Sequence, residues 1–120
     1  MGAKPWVPDR REMIWIDFNP QVGREMRDVH PLLVLSPKSF NDRTGIVIGL
    51  PMTTAKSNET NPFAIKFTGA KEQVSYILGH QPKSFDWRMR RARLHPWKRA
   101  PEGIMSLACE TLNQIILLTN

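Results

Sequence analysis

The sequence predicts a mainly β domain, a small and strongly bent sheet or barrel of about five or six short strands closed by one C-terminal helix. Three observations point there. Apolar residues recur in short runs, several with the two-residue period of a half-buried strand. Ten prolines punctuate 120 residues, which argues against long helices and for short strands joined by turns. Only the stretch from Pro101 to Leu118 spaces its apolar residues as a helix does.

The elements follow in order. Residues 1–11 read as an arm broken by Pro5 and Pro8. Met13–Phe18 is the first strand: Ile14, Ile16 and Phe18 share one face, Trp15 and Asp17 the other. Asn19-Pro20 ends it, and residues 19–30 form a long polar loop. Pro31–Ser36 is a buried strand, its Leu32 to Leu35 continuously apolar. Pro37 to Gly45 is a turn region, Ile46–Leu50 a strand closed by Pro51, and Met52–Asn61 a polar loop. Pro62–Thr68 alternates Phe63, Ile65 and Phe67 with Ala64 and Lys66, as a half-buried strand does. Gly69–Glu72 is a turn and Gln73–Leu78 a strand; Gln81–Trp87 is extended, with Pro82 keeping it from a central ladder position. Residues 88–100 read as a basic, irregular segment interrupted by Pro96. In the helix, Pro101 suits the first turn and Glu102 the positive end of the dipole; Ile104, Leu107, Ala108, Thr111, Leu112, Ile115 and Leu118 form its apolar face.

The length suits a single domain spanning 1–120, large enough to bury a core without disulfides or metals. Seventeen Lys and Arg against eleven Asp and Glu leave a net charge of +6, which favours an anionic partner without choosing among RNA, DNA and acidic protein. The one cysteine, Cys109, excludes an internal disulfide; it falls in the apolar helical pattern and reads as a buried structural thiol. No run approaches the roughly 20 apolar residues of a membrane span, and Asp9, Arg10, Arg11 and Glu12 stand where a signal peptide would be apolar. The expectation is a soluble, cytoplasmic protein without a membrane association.

Three stretches carry more than composition. The first is Met13-Ile14-Trp15-Ile16-Asp17-Phe18-Asn19-Pro20, followed by Gly23-Arg24-Glu25. The second is His30-Pro31-Leu32-Leu33-Val34-Leu35-Ser36-Pro37, then Phe40-Asn41 and Thr44-Gly45. The third is Gln81-Pro82-Lys83-Ser84-Phe85-Asp86-Trp87-Arg88 with Arg90, and Pro51-Met52-Thr53-Thr54 and Pro62-Phe63 lie between. In this order the set resembles the MazF/PemK family of bacterial toxin ribonucleases over about residues 7–118. The resemblance implies an SH3-like β-barrel of the MazF/CcdB type with a C-terminal helix, and a homodimer. It also implies a metal-independent, sequence-specific cut in single-stranded RNA. The 2′-OH attacks the adjacent phosphate, leaving a 2′,3′-cyclic phosphate and a 5′-OH. That chemistry needs a base, an acid and donors for the phosphorane charge.

Family roles transfer only to matching positions. Thr53 matches a phosphate-contacting threonine, and Glu25 matches an acidic position of the first loop, able to orient a partner or act as base. Thr54, Gln81, Lys83, Arg88 and Arg90, with Arg24 and Arg27 of the first loop, are the expected substrate contacts. Two positions depart: His30 stands where the family carries arginine, and His80 where it usually carries aspartate. Arginine grips phosphate with two parallel bonds as a permanent cation, whereas a free imidazole is mostly neutral at pH 7. One expectation is that His30 and His80 meet as an acid–base pair around one phosphate, with Arg24 or Arg27 supplying the missing cation. The other is a weakened or inactive nuclease. Zinc bound by His30, His80 and Glu25 lacks any HxxxH or CxxC spacing, so neither metal nor cofactor is expected. His95, beside Pro96, has no partner in sequence and is expected to be exposed.

Between Lys83 and Arg99, Arg88, Arg90, Arg91, Arg93 and Lys98 are interleaved with Phe85, Trp87 and Trp97. Cations hold phosphates and aromatic faces stack on unpaired bases, so the pattern suits single-stranded RNA; an acidic antitoxin tail would find the same surface. Trp87 is expected to be core and the arginines to bind. Fold alone leaves two non-nuclease readings open, a CcdB-like inhibitor of gyrase and a regulator that only binds antitoxin and operator.

Overall fold

A computed structural model describes residues 5–19 and 28–117. Seven strands and two helices run in the order β1 (Glu12–Asp17), β2 (Val29–Val34), α1 (Lys38–Thr44), β3 (Ile46–Thr53), β4 (Ala64–Thr68), β5 (Val74–Leu78), β6 (Lys83–Asp86), β7 (Arg93–Arg99) and α2 (Glu102–Ile116). All pairings are antiparallel, and the main path is β4-β5-β3-β2-β1-β7. β3 holds β2 along one edge and divides the other: Ile46–Gly49 pairs β6, then Met52 and Thr53 pair β5. One sheet therefore curls into a half-barrel.

Both faces are packed, which explains the unbroken apolar run in β2. Ile14, Ile16 and Phe18 of β1 join Leu32, Val34, Val47, Phe85 and Trp87 on one face. Met13 turns to the other, with Leu33, Leu50, Met52, Ile65 and Ile77, under the helix residues Met105, Ala108 and Leu112. The expected split of β1 into two faces and the core placement of Trp87 are both seen.

Several expectations are corrected. The Pro37–Gly45 turn region contains helix α1, too short to show a 3.6-residue period but bounded by Pro37 before it and by Gly45 at φ +74° after it. Its Asn41 is fully buried: the side-chain amide donates to Pro8 O at 2.8 Å and Ser36 O at 3.0 Å, and so fastens the described part of the N-terminal arm. Pro51 does not close β3, which continues to Thr53. It falls where β3 exchanges β6 for β5, a place that tolerates a missing ladder donor. The basic segment is not irregular throughout, since Arg93–Arg99 is β7. Pro96 is accommodated because the β1–β7 register slips there, from Ile14↔Leu94 to Glu12↔Arg99, with Lys98 at φ +61°. On α2, Leu107 and Ile115 are exposed and Met105 replaces them; the buried seam is Met105, Ala108 and Leu112. Leu118 lies outside the described residues. Cys109 is half-buried rather than buried, and its Sγ accepts a hydrogen bond from Arg10 Nη2 at 3.4 Å. Among the described residues, no helix is long and apolar enough to cross a membrane.

Gly49 sets the tightest crossing. A Cβ there would lie 2.4 Å from Leu33 O and within 2.9 Å of the Leu32 side chain. Backbone cannot yield as a flexible side chain can, so Gly49→Ala is expected to cost about 1–3 kcal/mol. A fall in the urea midpoint with an unchanged slope would confirm it.

Candidate active site

The end of β2 meets the end of β3. Leu32 lies opposite Pro51, and continuing that register by two residues brings His30 alongside Thr53. Both line a cleft of about 440 Å³, together with Thr54, Trp15, His95 and Trp97. His30 is half-buried across from Ile16, its ring edge-on to Phe18 at 5.6 Å between centroids. Thr53 Oγ1 accepts the Ala55 N–H at 3.2 Å, and Ser75 Oγ donates to Thr53 O at 3.3 Å. Because a hydroxyl has one proton and two lone pairs, Thr53 keeps its proton for a further acceptor such as a phosphate oxygen.

His80 does not line this cleft. Thr53 pairs Tyr76 on β5, which runs two residues further to Leu78 before the chain turns at Gly79 and carries His80 away from Thr53. It sits in the β5–β6 turn against Phe63, its Nε2 3.3 Å from Gln81 Nε2. Its Nδ1 is buried with no hydrogen-bond partner among the described residues. The expected meeting of two imidazoles around one phosphate is therefore not formed within the described chain. Lys83 lies opposite Gly49 on β6. Arg88 lies 4.5 Å over the Trp87 ring and pairs with Asp42 at 3.2 Å. Arg90 stacks 4.8 Å over Phe85, and its Nη1 donates to Asp17 O at 3.0 Å and to Asn19 O. Both arginines thus hold their own fold together. Arg24, Glu25 and Arg27 lie outside the described residues.

Two groups escaped the sequence reading. Beside Thr54, the Glu59 carboxylate accepts from Tyr76 Oη and from Lys66 Nζ, the latter at 2.9 Å. The Tyr76 bond, then the Lys66 bond, lower the Glu59 pKa; the Glu59 bond raises those of Tyr76 and Lys66. Lys66 and Tyr76 are cross-strand partners, but Glu59 comes from a five-residue 3₁₀ turn, Lys56–Thr60, that no sequence period announces. The second group is His95, expected to be exposed but only 8% so. Its ring lies 4.6 Å from Trp15 and 4.9 Å from Trp97 between centroids. Burial lowers its pKa, and its Nδ1 accepts the Trp97 N–H at 3.0 Å. Trp15 pairs Arg93, so strand alternation carries His95 and Trp97 to the same face, and Pro96 between them obscures that period.

Comparison with known proteins agrees with this architecture. Residues 9–116 match the family described as PemK-like, MazF-like toxin of type II toxin-antitoxin system. The Escherichia coli K12 endoribonuclease toxin MazF is 38% identical over 87 residues, 72% of this chain and 76% of that protein. Escherichia coli endoribonuclease PemK is 26% identical over 110 residues, 90% of this chain and 81% of its own. The crystal structure of Deinococcus radiodurans MazF (Form-I) superposes with a TM-score of 0.84 at 29% identity, covering 95% of this chain and all of that one. A MazE–MazF crystal structure (Form-III) from the same organism gives 0.78 at 30% identity, with the same coverage. The architecture is thus the MazF-type half-barrel with a C-terminal helix. The chain belongs to the PemK/MazF toxin family.

His95 gives this region a pH signature. Because the fold lowers its pKa, the unfolded chain takes up the proton first as pH falls. The stabilising contribution is complete above the ordinary imidazole value of 6.5 and is lost as pH falls through the depressed folded value. Thermal unfolding is expected at lower temperature as pH drops from 7 towards about 5.5, with His95→Phe flattening that dependence.

Proposed function

We propose that this chain is the endoribonuclease toxin of a toxin–antitoxin pair, and that it cuts single-stranded RNA at the cleft where His30 and Thr53 meet. That meeting, at the ends of two paired strands in a chain of this family, is the observation that carries the reading. In the proposed step the ribose 2′-oxygen forms a bond to phosphorus while the bond to the 5′-oxygen breaks. His30 takes the 2′-OH proton, and the 5′-oxygen leaves with a proton from water. Thr53 donates its hydroxyl proton to a non-bridging oxygen, where charge grows in the phosphorane. Thr54 adds a second hydroxyl at the mouth. His80, Gln81 and Lys83 contact the strand further along β3, away from the reacting phosphate. For Arg24, Glu25 and Arg27 the first-loop roles remain as the family resemblance implies.

The net charge of +6 supports an anionic substrate and an acidic antitoxin, and the Deinococcus radiodurans MazF bound to MazE supports a cognate antitoxin here. Homodimer formation and a cytoplasmic site of action belong to the same proposal. One observation favours a binding-only relative instead: imidazoles stand at both positions where the resemblance implies arginine and aspartate.

Purified protein incubated with RNA in EDTA decides between them. Cutting that leaves cyclic phosphate ends is the expected result; intact RNA would rule out the metal-independent nuclease. His30→Ala and Thr53→Val are each expected to slow the cut by about 100-fold or more. His80→Ala is expected to slow it less, as a distant contact should.

A further inference from the structure

We infer that the Trp15–His95–Trp97 cleft holds one unpaired base of the substrate, next to the phosphate at His30 and Thr53. This rests on the nuclease reading and adds to it a subsite that selects the base.

The cleft has the components of a base pocket. Trp15 and Trp97 are partly exposed, so each offers a face for stacking, while His95 is buried between them. The rings are fixed. Trp97 is backed by Gly69, where a Cβ would come within 2.4 Å of its ring, and by Phe67 at 5.6 Å edge-on. Trp15 is tied into β1 opposite Pro31. Stacking on rigid aromatics costs little entropy and accepts any base.

His95 supplies the selective part. Its Nδ1 already accepts the Trp97 N–H, so the neutral ring carries its proton on Nε2. Burial favours that neutral state. The cleft is thus given a donor of fixed identity, which rewards a base edge presenting an acceptor and penalises one presenting an amino group. Gln73 and Thr54, also in the lining, extend the polar edge. Arg93, with its guanidinium 5.8 Å from the Trp15 ring centre, is placed for the neighbouring phosphate. An apolar peptide side chain would use the rings but leave these donors unpaired. A base uses both, and its phosphate reaches His30 and Thr53 at the same cleft. RNA is therefore favoured over an antitoxin peptide as the occupant.

The test uses full-length protein and, once cut sites are mapped, an RNA oligonucleotide with a 2′-deoxy residue at the cut so that it binds intact. Removing the base on one side of the scissile phosphate is expected to weaken wild-type binding about tenfold, as loss of one stacked base does. In Trp97→Ala, which removes a stacking face, the intact oligonucleotide should bind nearly as weakly as the abasic one, so that the tenfold difference largely vanishes. His95→Phe keeps the stack and the packing; it should retain the abasic penalty but lose discrimination among bases there. His30→Ala should lose cutting while keeping the penalty. An undiminished penalty in folded Trp97→Ala, with cutting intact, overturns the base pocket and leaves the nuclease standing. Cleft variants that weaken only a tryptophan-containing acidic peptide, not RNA, overturn it in favour of antitoxin docking. Failure of the wild type to cut or bind RNA overturns the nuclease reading and the pocket together.

Discussion

The structure depends on one shared strand. β3 is hydrogen-bonded to β2 along one edge and, in succession, to β6 and β5 along the other. A strand with three partners must bend between the last two, and its close crossing with β2 leaves no room for a side chain at position 49. Pro51 sits in the changeover, where a residue without an N–H is least costly. The bend fixes where β3 ends, and its end is Thr53. Because β2 is in register with β3, the same constraint sets His30 beside it. Core packing and the placement of a chemical group are thus one problem with one solution.

This sharing explains what could be read from sequence. The two-residue period of β1 assigned Ile14, Ile16 and Phe18 to one face because that face is fully buried and tolerates no polar residue. β2 lost its alternation because both its faces are covered, and a continuous apolar run was the correct signal. Where the fold relies on short or slipped elements, period carries nothing. α1 spans seven residues and is held by the tertiary bonds of Asn41. β7 contains a proline, which sequence reasoning takes as a break and the sheet absorbs as a register slip. On α2 the expected face holds at Ile104, Ala108 and Leu112, but Leu107 and Ile115 are apolar and exposed, while the flexible Met105 fills the core.

The candidate site was legible in the same uneven way. His30 and Thr53 stand in motifs whose order along the chain carried the family resemblance, and the strand register brings them together. His80 belongs to an equally recognisable motif, but proximity across a sheet depends on register. β5 meets β3 at Tyr76, four residues before the histidine. Glu59 and His95 had no motif at all. Glu59 enters its cleft from a 3₁₀ turn, and His95 from a strand whose alternation Pro96 obscures.

Charge misleads differently. The basic composition suggested that arginines would bind and aromatics would fill the core; Trp87 does fill the core, while Arg88 and Arg90 also bond within the fold. Trp87 Nε1 donates to Asn41 O from within the core, while Arg88 and Arg90 lie over aromatic rings and bond to Asp42, Asp17 O and Asn19 O. Arg10, Arg11 and Arg99 likewise bond to backbone carbonyls. A guanidinium bound to its own backbone still adds to the long-range field that draws an anion in. Its remaining N–H donors, of the five a guanidinium carries, can still reach a phosphate. The field comes from the whole basic surface. At the ends of β2 and β3 the cleft gathers an imidazole and two hydroxyls beside aromatic rings.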